Sequence, residues 1–385
     1  CRLQAHQRHY HLEPMSDHTV LHKALAHCIA ERLTFAAFRT PGQPVQIWAQ
    51  RTPELETVDG TLLLGLNQVF LIAPFNLDRE KVPFIRSDVE LMFPEIDPDL
   101  KYLEECHGAA TIALPPTTAT ATAKADFIHS VNAAKNACAT RTIDKAVLSR
   151  VIDMGLGADQ LPELFTRAIE ASEETFVALA HTPEHGLWMG ASPERLVHEH
   201  LDHVRVDAIA ATRPSDAIPE RLSGWGAKEL DEQEQVMCHV HSTFVHADVQ
   251  NIVVRGPEVM QAGPVAHLRT VLEADLGETL LGDLILDLHP TPAVCGAPTK
   301  AAKTIIAANE KHDRSLYTGF WGPWNAEGPT ELFVNLRCMR YQPGKAQLFV
   351  GAGITAGSDA EMEWTETERK AETLLRLMVK SEAES

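Results

Sequence analysis

Apolar positions along the chain change period several times, and each change marks an element. Residues 18–34 place Leu21, Leu25, Cys28, Ile29 and Leu33 on one stripe, which predicts an amphipathic helix. Short apolar runs at Val45–Trp48, Thr61–Leu64 and Val69–Ile72 follow, set apart by Gly and Pro turns, and predict strands. LPPTTATATAKA, 114–125, reads as a loop or linker. Beyond it a helix near 126–138 runs into the β-branched stretch AVLSRVIDMGL, and a helix at 161–172 precedes strands at Phe176–Ala180, Leu187–Gly190, Arg195–His198 and Val204–Ala211. A long amphipathic helix over about 227–247, helices at 279–288 and 298–309, strands at 331–341 and 346–351, and a last helix from about 360 to 380 complete the pattern. There is no strict βαβ alternation and no repeat of 20–50 residues. The pattern predicts a mixed α/β (α+β) fold with large, mainly antiparallel sheets flanked by helices.

Composition narrows the function. The 385 residues carry 34 Lys and Arg against 53 Asp and Glu, a net charge of −19. Such an excess of acid argues against an electrostatic grip on nucleic acid or an anionic membrane. An anionic substrate would need a few local cations or a metal, working against the global field. Seven scattered cysteines without a C-x-x-C pair speak against a disulfide framework or a structural zinc site and fit a reducing cytoplasm. No apolar run reaches the ~18–20 residues of a membrane span. Residues 1–14 are polar with three histidines and read as a disordered extension ahead of Met15, which opens a more ordinary start. No G-x-G-x-x-G or Walker lysine loop supports a nucleotide fold.

Four segments carry more chemistry than packing needs. In MEWTETERK, Glu363, Glu366 and Lys370 share one helical face. Two carboxylates beside a cation can hold a hard divalent ion and an anion together; a solvated charged face has the same spacing. LFVGAGITAGS, 348–358, puts small residues between a strand and a helix, where main-chain N–H groups can meet an anion or simply form a tight turn. LHPTPAVCGAPTKAA, 288–302, is a loop constrained by its prolines. DKAVLSR sets Lys145 at the start of a core strand, and a lysine carried into the core can serve as a base; in ASPERL, Glu194 follows a Ser-Pro turn that can hold a carboxyl rigidly. Each of these two also fits an ordinary surface charge.

Taken in order, AVLSR, SPERL, ATRP, LHPTPAVCG, ELFVNLR, GAGITAGS and EWTETERKAETLL resemble the chorismate-utilising enzymes, the group of isochorismate, salicylate, anthranilate and aminodeoxychorismate synthases. The resemblance is dense over 125–380, taken as the chorismate-binding catalytic domain, and loose over 15–120, the N-terminal part of the fold. Lys145 before the VLSR strand and the form LHPTPAVCG resemble the isochorismate synthases in particular, and AIAATRPSD lacks the nucleophilic lysine of the aminodeoxychorismate enzymes. The resemblance implies a reversible isomerisation of chorismate, with Lys145 activating water for attack at ring carbon 2 and Glu194 protonating the hydroxyl that leaves carbon 4. It implies Mg²⁺ held by Glu232 and Glu366, with Glu363 assisting through water. Thr212, His267, Arg337, Lys370 and the backbone at Gly351 and Gly353 would bind substrate.

Salicylate synthase, which eliminates pyruvate from the same intermediate, would use the same Lys145 and Glu194. YTGFWGPWN and TELFVNLRCM resemble forms from menaquinone producers, and a siderophore pathway is the alternative. A non-catalytic chorismate-binding subunit is the reading from a different class. The expected partner is a small molecule, with neither nucleic acid nor membrane, in a cytoplasmic monomer or homodimer. Two positions depart from the family pattern: its A-G-T turn reads Ala210-Ala211-Thr212, and its glutamate-histidine pair reads Glu232-Gln233.

Overall fold

The computed structural model describes residues 18–94, 99–110, 121–214, 218–219, 221–262, 265–326 and 328–378. The extension 1–14 and most of the 114–125 loop lie outside them. Helix α1 (Thr19–Ala30) leads into β1 (Phe35–Arg39), β2 (Val45–Ala49), β3 (Glu56–Val58), β4 (Val69–Ala73), β5 (Val82–Arg86), β6 (Val89–Phe93) and a short α2 (Lys101–Glu104). Then come α3 (Lys124–Ala139), β7 (Lys145–Gly155), α4 (Leu161–Glu170), β8 (Phe176–Thr182), β9 (Gly186–Ser192), β10 (Arg195–His200), β11 (His203–Pro214) and α5 (Ala227–His246). The remainder is β12 (Gln250–Ala262), β13 (Val265–Asp275), α6 (Leu281–Leu288), β14 (Gly296–Ala297), α7 (Thr299–Asn309), β15 (Phe320–Trp324), β16 (Thr330–Val334), β17 (Cys338–Gln342), β18 (Lys345–Ile354) and α8 (Ala360–Met378).

The strands form two nine-stranded sheets with antiparallel pairing. The first runs β14-β7-β18-β17-β9-β8-β1-β2-β6 and the second β12-β13-β11-β10-β16-β15-β4-β5-β3. Strands from before and after residue 120 share both sheets. The sheets face each other across an aromatic layer that includes Phe38, Phe70, Trp188, Trp321 and Phe349, with Phe176 and Phe333 stacked at 4.2 Å. Helices α1 and α4 cover the outer face of the first sheet, and α5 and α6 that of the second. A further apolar cluster seats α3, α7 and α8 against β7 and β18. With both faces covered, strands such as β8 and β9 are buried at every position and show no two-residue alternation.

The structure departs from the predicted elements in several places. Thr61–Leu64 is part of a 3₁₀ turn, Gly60–Gly65, because the Asp59 side chain caps it at the Thr61 N–H and only one face is apolar to the core. Leu62 and Leu64 are 62% and 48% exposed, whereas Leu63 is fully buried. The run 331–341 is two strands in different sheets, β16 and β17, broken at Asn335–Arg337. The strand at 346–351 continues to Ile354, so Gly351 and Gly353 sit inside β18 and not in a turn. The strands β1, β3, β5, β6, β12, β13 and β15 and the helix α2 carry no sequence-based expectation.

Candidate active site

The chain changes sheet twice at neighbouring corners, and the two corners carry charged side chains. Ser192-Pro193-Glu194 takes it from β9 in the first sheet to β10 in the second. Asn335–Arg337 brings it back from β16 to β17. Because β10 pairs with β16 and β17 with β9, the corners lie side by side and are hydrogen bonded: Val334 N–H donates to the Glu194 carbonyl (3.0 Å) and Ala191 N–H to the Arg337 carbonyl (3.2 Å). Arg337 takes a left-handed backbone, φ +46°. A sequence shows the turn residues but not that two turns are stacked, so this juxtaposition was invisible in it.

The corners open into a cavity of about 510 Å³, a size that suits a small ligand. Lys145, Glu194, Glu232, His267, Arg337, Gly351, Gly353, Glu363, Glu366 and Lys370 all line it, although 225 positions separate the first from the last. Lys145 arrives on the first residue of β7, Glu232 on α5 over the second sheet, and Glu363, Glu366 and Lys370 on the first half of α8 over the first sheet. The Thr212 main chain pairs with His267 just past a bulge; its side chain lies outside the described ones. Lining residues that the sequence reading passed over are Arg213, Lys228, Glu229, Tyr317 and Arg369. Lys228 was legible as the i−4 neighbour of Glu232 on the same helix.

Glu194 is half-buried at the cavity wall. Removal from water pushes its carboxyl up to about 7, with the charges of Lys145, Lys370 and Arg337 pulling the other way. The neighbours that affect it are therefore cations and not the carboxylates of Glu232 and Glu366. His267 is pushed down to about 4 by burial, then by Arg337 and Lys370, so it is a neutral imidazole that can serve a ligand by hydrogen bonding and not by charge. Burial lowers Arg337 against the pull of Glu194.

The three glutamates each meet an ammonium. Glu232 lies 3.8 Å from both Lys145 Nζ and Lys228 Nζ, Lys228 also reaches Glu363 at 2.9 Å, and Lys370 holds Glu366 at 2.6 Å while donating to the Gly351 carbonyl at 3.0 Å. Burial opposes ionisation of Glu366, yet Lys370, Lys228 and Lys145 keep its carboxyl below the ordinary range. Among the described residues no three of His, Cys, Asp and Glu stand grouped as a ready metal cage. The donors are nonetheless hard oxygens from two facing helices, and Lys228 already shares one positive charge between Glu232 and Glu363. Donor chemistry of this kind suits a hard divalent ion.

Gly353 leaves space that Lys145 fills: a Cβ there would stand 2.8 Å from Lys145 Cε. A Cβ on Gly351 would stand 2.8 Å from the Tyr317 hydroxyl. Their strand partners Ser149 and Val147 send their N–H groups to Glu310 and to the Cys295 carbonyl, away from β18. These are thus non-hydrogen-bonded pairs, and the main-chain groups of both glycines face away from β7. Of the two departures, Ala211 lies on the cavity wall at a bulge with φ +56°. Gln233 points elsewhere: its amide donates to the Ala208 carbonyl (2.9 Å) and to Thr270 Oγ1 (3.0 Å), tying α5 to the second sheet.

Residues 86–379 match the family described as chorismate binding enzyme. The chain belongs to that family. It is similar to the vibriobactin-specific isochorismate synthase of Vibrio cholerae, 31% identical over 60% of this chain and 61% of that protein. It is also similar to isochorismate synthase EntC of Escherichia coli, 32% identical over 65% of this chain and 66% of that protein. The matched stretch thus spans less than two thirds of either relative. In structure it resembles MenF, the menaquinone-specific isochorismate synthase of Escherichia coli, with a TM-score of 0.74 at 21% identity over 92% of this chain and 91% of that one. That likeness extends the family's fold over the N-terminal strands, where sequence similarity fades. No helix among the described residues is long and apolar enough to cross a membrane.

Proposed function

We propose that this chorismate-binding enzyme is an isochorismate synthase, converting chorismate reversibly to isochorismate. The observation that carries the reading is that a buried lysine and a glutamic acid with a carboxyl near pKa 7 line one cavity with Arg337 and Lys370. Lys145 takes a proton from water as it adds to ring carbon 2, and Glu194 gives its proton to the hydroxyl leaving carbon 4. Arg337, Lys370 and the main chain at Gly351 and Gly353 bind the carboxylates, while neutral His267 and Thr212 orient the ring. Glu232 and Glu366, with Glu363 assisting through water, would hold Mg²⁺, which when bound would supply a template and a Lewis acid. The charge balance supports it: apart from the base Lys145 and the protonated acid Glu194, the cavity lining has five cations against four carboxylates, a poor match for a dianion until a divalent ion is added.

The test is incubation of the chain with chorismate and Mg²⁺, followed by chromatography for isochorismate, salicylate and pyruvate. Isochorismate alone is the expected product; salicylate with pyruvate would make it a salicylate synthase, and no turnover would overturn the reading. Lys145→Ala should lose ~10²–10⁴-fold in rate while staying folded. Wild-type turnover in that variant would remove Lys145 as the base. The relatives include a vibriobactin-specific and a menaquinone-specific enzyme. The motifs YTGFWGPWN and TELFVNLRCM favour menaquinone formation, to be checked by restoring growth of a menaquinone-deficient bacterial strain.

A further inference from the structure

Strand β7, which delivers Lys145, has an exposed-edge problem inside the protein. Its outer neighbour β14 covers only Lys145 and Ala146. From Val147 onward β7 has no outer strand to pair with among the described residues. The Val147 N–H donates to the Cys295 carbonyl and Val151 exchanges hydrogen bonds with Thr122, while the Val147 carbonyl and the Ser149 N–H between them are buried and must be satisfied. A buried ion pair does this. Glu310 Oε1 accepts the Ser149 N–H at 2.6 Å and the Ser149 hydroxyl at 2.9 Å. Arg314 Nη2 donates to the Val147 carbonyl at 2.6 Å. The two side chains are bound to each other twice, Nε to Oε2 at 2.9 Å and Nη2 to Oε1 at 2.6 Å, and are only 4% and 2% exposed.

The same guanidinium reaches two other segments. Its Nη1 donates to the Val294 carbonyl at 3.0 Å and to Thr318 Oγ1 at 3.3 Å. Val147, Val294 and Thr318 all line the cavity. One fork behind the wall therefore fixes three pieces of that wall. Stability alone does not call for such a device, because well-packed apolar residues commonly replace a buried ion pair at no loss. Simultaneous bonding to several main-chain groups does, since only a planar fork with five donors has the geometry.

We propose that Glu310 and Arg314 are positioning residues for the reaction: by closing the edge of β7 they set where Lys145, two residues ahead of Val147, presents its Nζ in the cavity. The inference rests on the isochorismate synthase reading. The test uses two variants that keep a buried pair, Arg314→Lys, which retains the charge without the fork, and Glu310→Asp, which retains the charge and shortens the reach. For each, kcat and KM for chorismate are measured alongside thermal unfolding and amide hydrogen exchange over residues 147–151. A displacement on the order of 1 Å costs up to ~10²-fold in rate. Each variant should thus lose at least about tenfold in kcat with KM within about threefold, and exchange faster at 147–151 while β1 and β8 stay protected. A folded variant with kcat within about twofold of wild type, or with unchanged exchange at β7, would overturn the proposal. Absence of turnover by the wild-type chain would overturn the function reading instead, and the exchange comparison would still decide whether the pair clamps β7.

Discussion

At Glu194 one residue must both hold a proton at neutral pH and release it to a leaving hydroxyl. Burial gives it a carboxyl near pKa 7, and three nearby cations keep the value from climbing further. The forward reaction uses the protonated form, so the forward rate should be fullest below about pH 7 and fall as pH rises through that value. The reverse reaction uses the carboxylate with the proton held on Lys145, and since the isomerisation takes up and releases no net proton its equilibrium does not move with pH, so kcat/KM from isochorismate should follow the same profile. Values of kcat/KM from chorismate and from isochorismate across pH 5.5–8.5 (a range of about 1.5 units either side of 7) should fall together as the carboxyl ionises. In Glu194→Gln both activities should be lost to the same degree, while chorismate still binds. A folded variant that kept near-wild-type turnover in either direction would remove Glu194 from the acid role. Ala211 poses a different residue-scale problem. Its φ of +56° costs a non-glycine residue ~1–2 kcal/mol, whereas glycine would cost ~0.5–1 kcal/mol of chain entropy. Ala211→Gly should therefore raise stability by up to about 1 kcal/mol, and a melting temperature that falls would show that the methyl packs usefully against the cavity wall.

At the scale of elements, the cavity depends on α5 and α8 meeting across the ends of the two sheets, with Lys228 spanning from Glu232 to Glu363. Glu232→Gln and Glu366→Gln should each raise the Mg²⁺ concentration needed for half-maximal activity by about tenfold or more, because each removes one anionic oxygen donor. EDTA should stop the reaction and Mg²⁺ restore it; full activity in the chelator would exclude the metal. Much of this scale was legible in the sequence. Apolar period gave β7, β8, β9 and the helices α4, α5 and α8 nearly to their ends, since each is long and either strongly amphipathic or continuously apolar. What escaped had physical causes. In β12 a Gly256-Pro257 step interrupts the apolar run, and the structure absorbs it in a bulge between Arg255 and Glu258. The 331–341 run carried no Gly or Pro, so nothing local announced that Asn335–Arg337 leaves one sheet for the other. The motifs located the lysine, the glutamates and the arginine, and only the stacked corners explain why they face one another.

For the whole molecule the relevant quantity is charge. A chain of net −19 repels a dianion from a distance, while the cavity lining carries a slight excess of cations. The two fields differ in range. The acidic surface acts through water over tens of ångströms and is screened beyond ~10 Å at 0.1 M salt. Arg337 and Lys370 act at contact in a half-buried site, where mobile ions hardly intervene. Adding salt to a dilute buffer should therefore remove the repulsion first. We expect kcat/KM for chorismate to rise by about two- to threefold between ~10 and ~100 mM NaCl at constant Mg²⁺, with kcat unchanged, because encounter and not chemistry feels the outer field. Above that range the value should level off, since further ions reach only the contact interactions. A steady fall of kcat/KM from the lowest salt upward would mean that the substrate is drawn in by the cationic mouth, and that the surplus acid lies too far from the approach path to matter.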